Sequence, residues 1–576
     1  MVTTHAKISR ATDGVAALTC VAAGVLIAAL PHLIAWTKTG RTDHVSNDDE
    51  RYYLAIGSQA YFNHPCFITD PVLATESPTA YRPLPTLPGI WAAKFLGLGP
   101  LGVGLMWRVL AGVTIGLGWY LLFRSKVSRP GVAASLSLIL LCDHGLTYGT
   151  PFVRLFRWAA ISALLPAISP LAGGNWIHLE WRIINPATTM VYLIAFIWAV
   201  LRAREAPTRA WIATAGLTFG VLFYVYFYYW TAAGLAILLT LVLDAGHRRV
   251  YFHAGWIGAL IGLPAILSDY LIIHSRPADW LARNDRFVPI GRFEHLVLPR
   301  EILLLAVLGL AFVLMRRRDL VIVWALGLAG LLLENSQVVT RLQFENFHWR
   351  YVWGPAFCLL VLLAVATAIE AREGGSAAIS ATLGAVAGLA FCAGLGLRAM
   401  EATRCADRVA NDRVIAAYRS QFSPGINSRF TPNAVAGGDR DFVDFAAILT
   451  NLRPLSGWAV HNSPAVTTAE LHDRDDLNEL LLGLDRSSFP AKQIDNPQRV
   501  GVGPSERNTR LLAGAAGRVS DDDRKRADLA AALDRFKVRY VGLPAGTEPS
   551  YLRHGWTRIL GGPTWDVWER ISDSRP

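Results

Sequence analysis

Charge is scarce in this 576-residue chain: 17% of its residues are Asp, Glu, Lys or Arg, against about a quarter in an ordinary soluble protein. Cysteine motifs are missing as well. The six cysteines (Cys20, Cys66, Cys142, Cys358, Cys392 and Cys405) form no CxxC pair and no zinc spacing, which excludes a cysteine-built metal or redox centre and leaves small core residues. No clear small-residue cleavage site follows the apolar run from Val15 to Ile34, so that run is expected to stay as a first helix. From Glu401 to Pro576 no apolar run is long enough to cross a bilayer.

What remains is apolar: 53% of residues are hydrophobic and 19 are tryptophan. The pattern predicts a polytopic α-helical membrane protein of about eleven spans. They are placed near 14–36, 101–123, 131–146, 187–201, 210–226, 228–243, 253–273, 301–315, 320–334, 351–370 and 377–397. The formal charge of +11 comes from arginines bunched in short loops, which fits positive-inside topology and leaves no need for a nucleic-acid partner. With a cytoplasmic N-terminus, five loops containing Arg124, Arg204, Arg248, Arg317 and Arg372 fall on the cytoplasmic side.

The same count assigns 37–100, 147–186, 274–300 and 335–350 to the outer face, together with 401–576. Residues 1–400 are then a membrane domain and 401–576 a periplasmic α/β domain, with a helix expected near Asp522–Leu533 and a strand near Val538–Leu543. The first outer loop carries an amphipathic stretch from Tyr52 to Phe62; segment 84–97 is ambiguous. The aromatic run Phe223 to Trp230 reads as an interfacial belt.

Polar chemistry is concentrated in the outer loops, where binding and catalysis are usually placed. Asn47-Asp48-Asp49-Glu50-Arg51-Tyr52-Tyr53 lies just beyond the first span. A carboxylate at the membrane surface can take a proton from an attacking hydroxyl, and Asp49 is the first candidate, with Asp48 the second. The bland alternative is that these acids stabilise the start of the following helix. Arginine suits an anionic leaving group because its fork grips phosphate and stays charged. Arg51, Arg82, Arg182 and Arg341 are outer-face candidates, with Gln337 and His348 as further phosphate or sugar ligands. Glu50, Tyr52, Asp143, His144 and Asn185 are supporting candidates. Asp143-His144 lacks a third ligand for a convincing metal site, so a divalent metal stays open.

Asp49-Glu50-Arg51-Tyr52 resembles the signature that opens the first outer loop of lipid A aminoarabinose transferases, integral-membrane glycosyltransferases of the GT-C class, although the residue between Glu and Arg is absent here. Arg182-Ile183-Ile184-Asn185-Pro186 and Asn335 to Thr340, followed by His348-Trp349, look like segments of related bacterial transferases. The resemblance implies transfer of a sugar from a polyprenyl-phosphate carrier to a lipid, glycan or protein acceptor at the outer face of the bacterial inner membrane, by an inverting mechanism. Two other classes are compatible with the apolar pattern: a transporter or flippase of an anionic lipid-linked glycan, and a non-catalytic envelope-assembly component.

Overall fold

The computed structural model describes residues 2–42, 44, 48–63, 72, 82–142, 183–274, 288–294, 296–297, 300–343, 346–371, 377–410, 429–457, 460, 463, 466–482, 523–553, 555–562 and 564–571. The chain is mostly helical. In order, the long helices are α1 (Val2–Thr39), α2 (Asp48–Phe62), α3 (Pro83–Phe95), α4 (Gly102–Arg124), α5 (Pro130–Leu140), α6 (Met190–Glu205), α7 (Arg209–Leu222), α8 (Phe227–Leu243) and α9 (Arg248–His274). They continue with α10 (Arg300–Met315), α11 (Val321–Glu334), α12 (Arg350–Glu370) and α13 (Ala377–Ala410).

Each of the eleven proposed spans coincides with a helix among the described residues, the one at 131–146 with Pro130–Leu140, its last residues lying outside them. Six of these are long and apolar enough to cross a membrane, and four more are shorter apolar helices; α11 supplies the last. A bilayer core offers no water to backbone amides, so apolar runs of this length fold as helices that satisfy their own hydrogen bonds. Local sequence fixes their ends. Pro83 and Pro130 occupy the first turns of α3 and α5, where a missing N–H costs nothing. The Thr208 hydroxyl accepts from the Trp211 amide at 3.3 Å and caps α7.

Small residues let the helix backbones approach. A Cβ at Gly112 would lie 2.6 Å from the Gly24 carbonyl oxygen, so α1 and α4 meet backbone to backbone. At Gly258 it would lie 3.0 Å from the Gly216 oxygen, which does the same for α7 and α9. Gly112/Gly116 and Gly216/Gly220 are GxxxG pairs, the spacing that brings membrane helices into van der Waals contact.

The arginine-rich loops gather at one end of the bundle. Arg124 Nε donates to Asp13 Oδ1 at 2.6 Å, Lys126 pairs with Glu205 and lies 3.7 Å from Asp319, and Arg204 Nε meets Asp244 at 2.6 Å. The Ser128 hydroxyl donates to Glu370 at 2.7 Å. These contacts join the N-terminal part of α1 to four loops and the end of α12, as the arginine count required. We call this the basic end and its opposite the loop end.

Beyond α13, a five-stranded sheet runs in the order β4-β3-β5-β7-β6, built from β3 (Val435–Gly438), β4 (Arg453–Pro454), β5 (Val538–Pro544), β6 (Trp556–Gly561) and β7 (Trp565–Arg570). Two residues earlier in the chain, Val288–Pro289 (β1), pair antiparallel with Leu342–Gln343 (β2) and tie two loops together. In the large sheet β3 is parallel to β4 and β5, and β7 is antiparallel to β5 and β6. Helix α14 (Arg440–Leu449) crosses from β3 to β4, followed by α15 (Thr468–Leu481) and α16 (Asp523–Arg535).

Strand alternation sends neighbouring residues to opposite faces, and in β5 a register shift between the pairs Val435–Val538 and Ala436–Tyr540 interrupts it. Val435, Val538 and Val541 enter a core with Leu477, Leu481 and Leu533 from α15 and α16. Ala436, Tyr540, Trp565 and Val567 enter another core with Phe442 and Phe445 of α14. That second core does not stop at the domain: it continues into Leu54, Ala55 and Ile56 of α2 and Trp107 of α4. The turn from β3 into α14 depends on Gly438, whose φ of +110° and close approach to the Gly542 carbonyl leave no room for a Cβ. Asn478 brackets it, accepting from the Gly438 amide at 2.7 Å and donating to its carbonyl at 2.8 Å.

Candidate active site

Helix α2 begins at Asp48, four residues earlier than the amphipathic pattern indicates. Three acids in the first turn favour helix there, because negative charge is stabilising near the positive end of the helix dipole. The side chains of Asp48 and Asp49 lie outside the described residues; only their backbone places them. They open a helix held between α4 on one side and α14 on the other.

Glu50 points into the bundle. Its Oε1 accepts from Arg108 Nη1 at 2.8 Å, and both groups are almost fully buried. The same Nη1 lies 2.8 Å from His32 Nε2, while His32 Nδ1 lies 2.6 Å from the Thr42 carbonyl. A carbonyl only accepts, so Nδ1 carries the proton and Nε2 receives the Arg108 hydrogen bond. His44 packs edge-on against His32 with ring centroids 5.6 Å apart. Burial, and then the Arg108 charge, push the His44 imidazole well below the ordinary histidine range. Arg108, His32 and His44 are polar residues absent from the sequence-based candidates, as are Asp441, Asp444, Asp269 and Glu334 described below. Arg108 was legible as the lone cation inside the span 101–123, a position where an ionisable group needs a partner.

Arg51 points the other way. Its Nη1 lies 3.2 Å from Asp441 Oδ1 and 3.5 Å from Asp444 Oδ2, and its guanidinium sits 5.3 Å from the centroid of the Phe445 ring. Tyr52 is buried beside Tyr53 in the shared core. Arg82, at the start of α3, pairs with Asp269 near the end of α9. Arg182, Asp143 and His144 lie outside the described residues, as does the side chain of Asn185, whose backbone falls in the π-helical turn Ile183–Thr188.

A second group of candidates surrounds the start of α12. Gln337 is buried and donates to the Glu294 carbonyl at 3.3 Å. Arg341 is exposed and adopts a left-handed backbone, φ 57°, closing the single helical turn Gln337–Thr340. His348 is buried rather than presented to solvent: Tyr226 Oη bonds its Nδ1, and Tyr228 stacks on the ring at 4.7 Å. The aromatic run therefore differs from the belt expected of it. Tyr226, Tyr228 and Tyr229 are buried, because α7 ends at Leu222 and the chain turns inward before α8 begins. Nearby, Glu334 Oε1 accepts from Arg350 Nε at 2.6 Å, and the Trp353 indole donates to its other oxygen.

Among the described residues no cluster of three His, Cys, Asp or Glu side chains could hold a metal ion.

No protein-family model matches the chain, and no curated protein matches it. Among solved structures it is similar to ArnT from Cupriavidus metallidurans bound to undecaprenyl phosphate, at 14% identity over 97% of this chain and 99% of that one, with a TM-score of 0.47. It is also similar to the oligosaccharyltransferase AglB from Archaeoglobus fulgidus in complex with an inhibitory peptide and a dolichol-phosphate, at 12% identity over 92% of this chain and 69% of that one, with a TM-score of 0.43. The apo form of the Archaeoglobus fulgidus oligosaccharyltransferase has the same identity and coverage and a TM-score of 0.45.

Proposed function

We propose that this chain transfers a sugar from a polyprenyl-phosphate donor to a lipid, glycan or protein acceptor at the outer face of the bacterial inner membrane. Asp49 serves as general base and Asp48 is the alternative; inversion at the anomeric carbon follows from a single base and no nucleophile. The observation that carries this reading is the division of labour along α2. Of the acids that open it, Glu50 is bonded to Arg108 inside the bundle and so is not the proton acceptor. That leaves the two aspartates at the loop end, at the membrane surface, where a lipid-linked substrate and a water-borne acceptor can meet.

The leaving polyprenyl phosphate needs a cation. Arg182 and Arg341 fit that role in this reading, Arg341 because it is exposed at the loop end. Residues 401–576 form the periplasmic domain. Transport is the competing reading. Arg108 lies in the second turn of α4, near the bundle's end rather than at the bilayer midplane where transporters hold their sites.

The test is turnover by purified protein in lipid vesicles supplied with polyprenyl-phosphate sugars. Asp49→Asn keeps the side chain's size but removes the proton acceptor, so turnover should fall by roughly 10²–10⁴-fold with folding intact. A larger loss for Asp48→Asn moves the base by one position. Full transfer by the double variant would sink the mechanism. Donor movement across the vesicle with no sugar transfer would favour transport.

A further inference from the structure

Helix α2 joins two bodies through adjacent residues: Glu50 bonds into α4, and Arg51 bonds into α14 of the C-terminal domain. The α14 contact is built along both helices. Arg51 and Ser58 are two turns apart on one face of α2, and they meet Asp441, Asp444 and Ile448, which share one face of α14. At the far end the Ser58 hydroxyl donates to the Ile448 carbonyl at 2.5 Å. Between the two polar contacts, Leu54 and Ala55 pack in the core that holds Phe442, Phe445 and Ile448. Asp444 is buried, and Arg51 lies 3.5 Å from its carboxylate.

We infer that the C-terminal domain is a brace for the acidic turn, and that Arg51 is a positioning residue. The inference rests on the proposed transferase reading for its effect on turnover, but not for the contact itself. A general base works only when it is held in the geometry of the attacking hydroxyl. Asp48 and Asp49 lie three and two residues before Arg51 on the same helix, so anchoring Arg51 to Asp441 and Asp444 fixes the backbone turn that carries the acids. Arg51 spends its charge on two carboxylates rather than on a phosphate.

The two roles separate kinetically. With Arg51 as a brace, Arg51→Ala should lower kcat by about 10-fold, the usual worth of a charge-assisted bond, and leave the donor KM unchanged. Arg51→Lys should restore part of the loss. The charge swap Arg51→Asp with Asp441→Arg should recover more activity than either change alone. Hydrogen exchange of the amides between residues 48 and 58 supplies the second readout, and protection should fall by about 10-fold in Arg51→Ala. Should that variant not fold, Asp441→Asn at the exposed end of the contact carries the same two measurements. A higher donor KM with unchanged exchange overturns the brace and makes Arg51 a phosphate ligand. Unchanged exchange in both Arg51→Ala and Asp441→Asn overturns it even if the protein transfers no sugar, whereas lost protection without any sugar transfer upholds the brace and rejects only the transferase reading.

Discussion

At the basic end of the bundle, Lys126 reaches toward both Glu205 and Asp319, Arg204 holds Asp244, and Arg317 Nη2 lies 2.7 Å from Asp319. At the loop end the carboxylates themselves are buried: Glu50 pairs with Arg108, which also meets His32, and Glu334 pairs with Arg350 and accepts from the Trp353 indole. The first arrangement is a shared network in which no acid depends on a single partner. Burial pushes the Asp244 carboxyl up, yet Arg204, His247 and Tyr251 together hold it below the usual carboxylate range. In the second, one substitution takes the arginine away from a carboxylate shut off from water. The difference teaches where function is to be sought. A network of loop charges needs only the sign of a membrane side to explain it, whereas a buried pair beside the opening of α2 has a cost that topology alone does not require.

The sharpest way to break this comparison is to remove Arg108. Arg108→Ala takes the ion pair from buried Glu50 and the hydrogen bond from His32, so thermal unfolding in detergent should report a loss of about 3–5 kcal/mol. Glu50→Gln keeps a hydrogen-bond acceptor and should cost less. If Arg108→Ala unfolds like the wild type, the buried pair does not organise the loop end.

Next in size is donor binding, which bears on whether the loop end handles substrate at all. Arg182→Ala or Arg341→Ala should weaken binding of the donor lipid by about 10- to 150-fold, as expected for a lost charge-assisted bond of roughly 1.5–3 kcal/mol. Unchanged affinity in both variants would remove them as the clamp. The side of the membrane is a separate measurement: with native cysteines replaced, Glu548→Cys in the C-terminal domain should react with an impermeant maleimide in intact spheroplasts. Labelling only after lysis would put the loop end in the cytoplasm.

Much of the helical frame was legible because lipid permits so few solutions. The run placed at 351–370 is Arg350–Glu370, and that at 228–243 is Phe227–Leu243. Where the reading slipped, local chemistry explains it. The run at 210–226 stops at Leu222 because the aromatic residues beyond it turn inward to meet His348. Segment 84–97, ambiguous by hydropathy, becomes helix Pro83–Phe95 with proline in its first turn. The acidic turn was visible as a local oddity. Its surroundings were not: Glu50 and Arg108 are 58 positions apart and Arg51 and Asp441 are 390 apart, and no periodicity in one stretch names a partner so distant. His348 shows the converse, since a histidine in an outer loop reads as available until Tyr226 and Tyr228 are seen to enclose it.

Acid should find the loop end before the basic end. The folded-state pKa of His44 is depressed by burial and by Arg108, so near pH 7.5 the ring is neutral whether the chain is folded or not. Below the ordinary histidine value of about 6.5 the unfolded chain takes a proton that the folded chain resists, and stability falls with pH. One such proton contributes at most about 1.4 kcal/mol per pH unit. Melting temperatures between pH 7.5 and 5.5 should therefore drop in the parent protein and drop less in His44→Gln. Parallel curves would show that His44 titrates freely.

The smallest effect belongs to the basic end, and it closes the comparison. Arg202 and Glu205 are 3.2 Å apart on one turn of α6, both side chains about a third exposed, and Glu205 already has Lys126. An ion pair of this kind gains little over hydration and loses side-chain entropy, so Arg202→Ala should cost about 0–1 kcal/mol. The difference should shrink further in high salt, which screens exposed charges more than buried ones. Measured beside Arg108→Ala in the same detergent, the contrast should be several-fold. Equal losses would mean that the basic network is as indispensable as the buried pair, and the loop end would lose its claim to be the part of the bundle where charge is placed for chemistry.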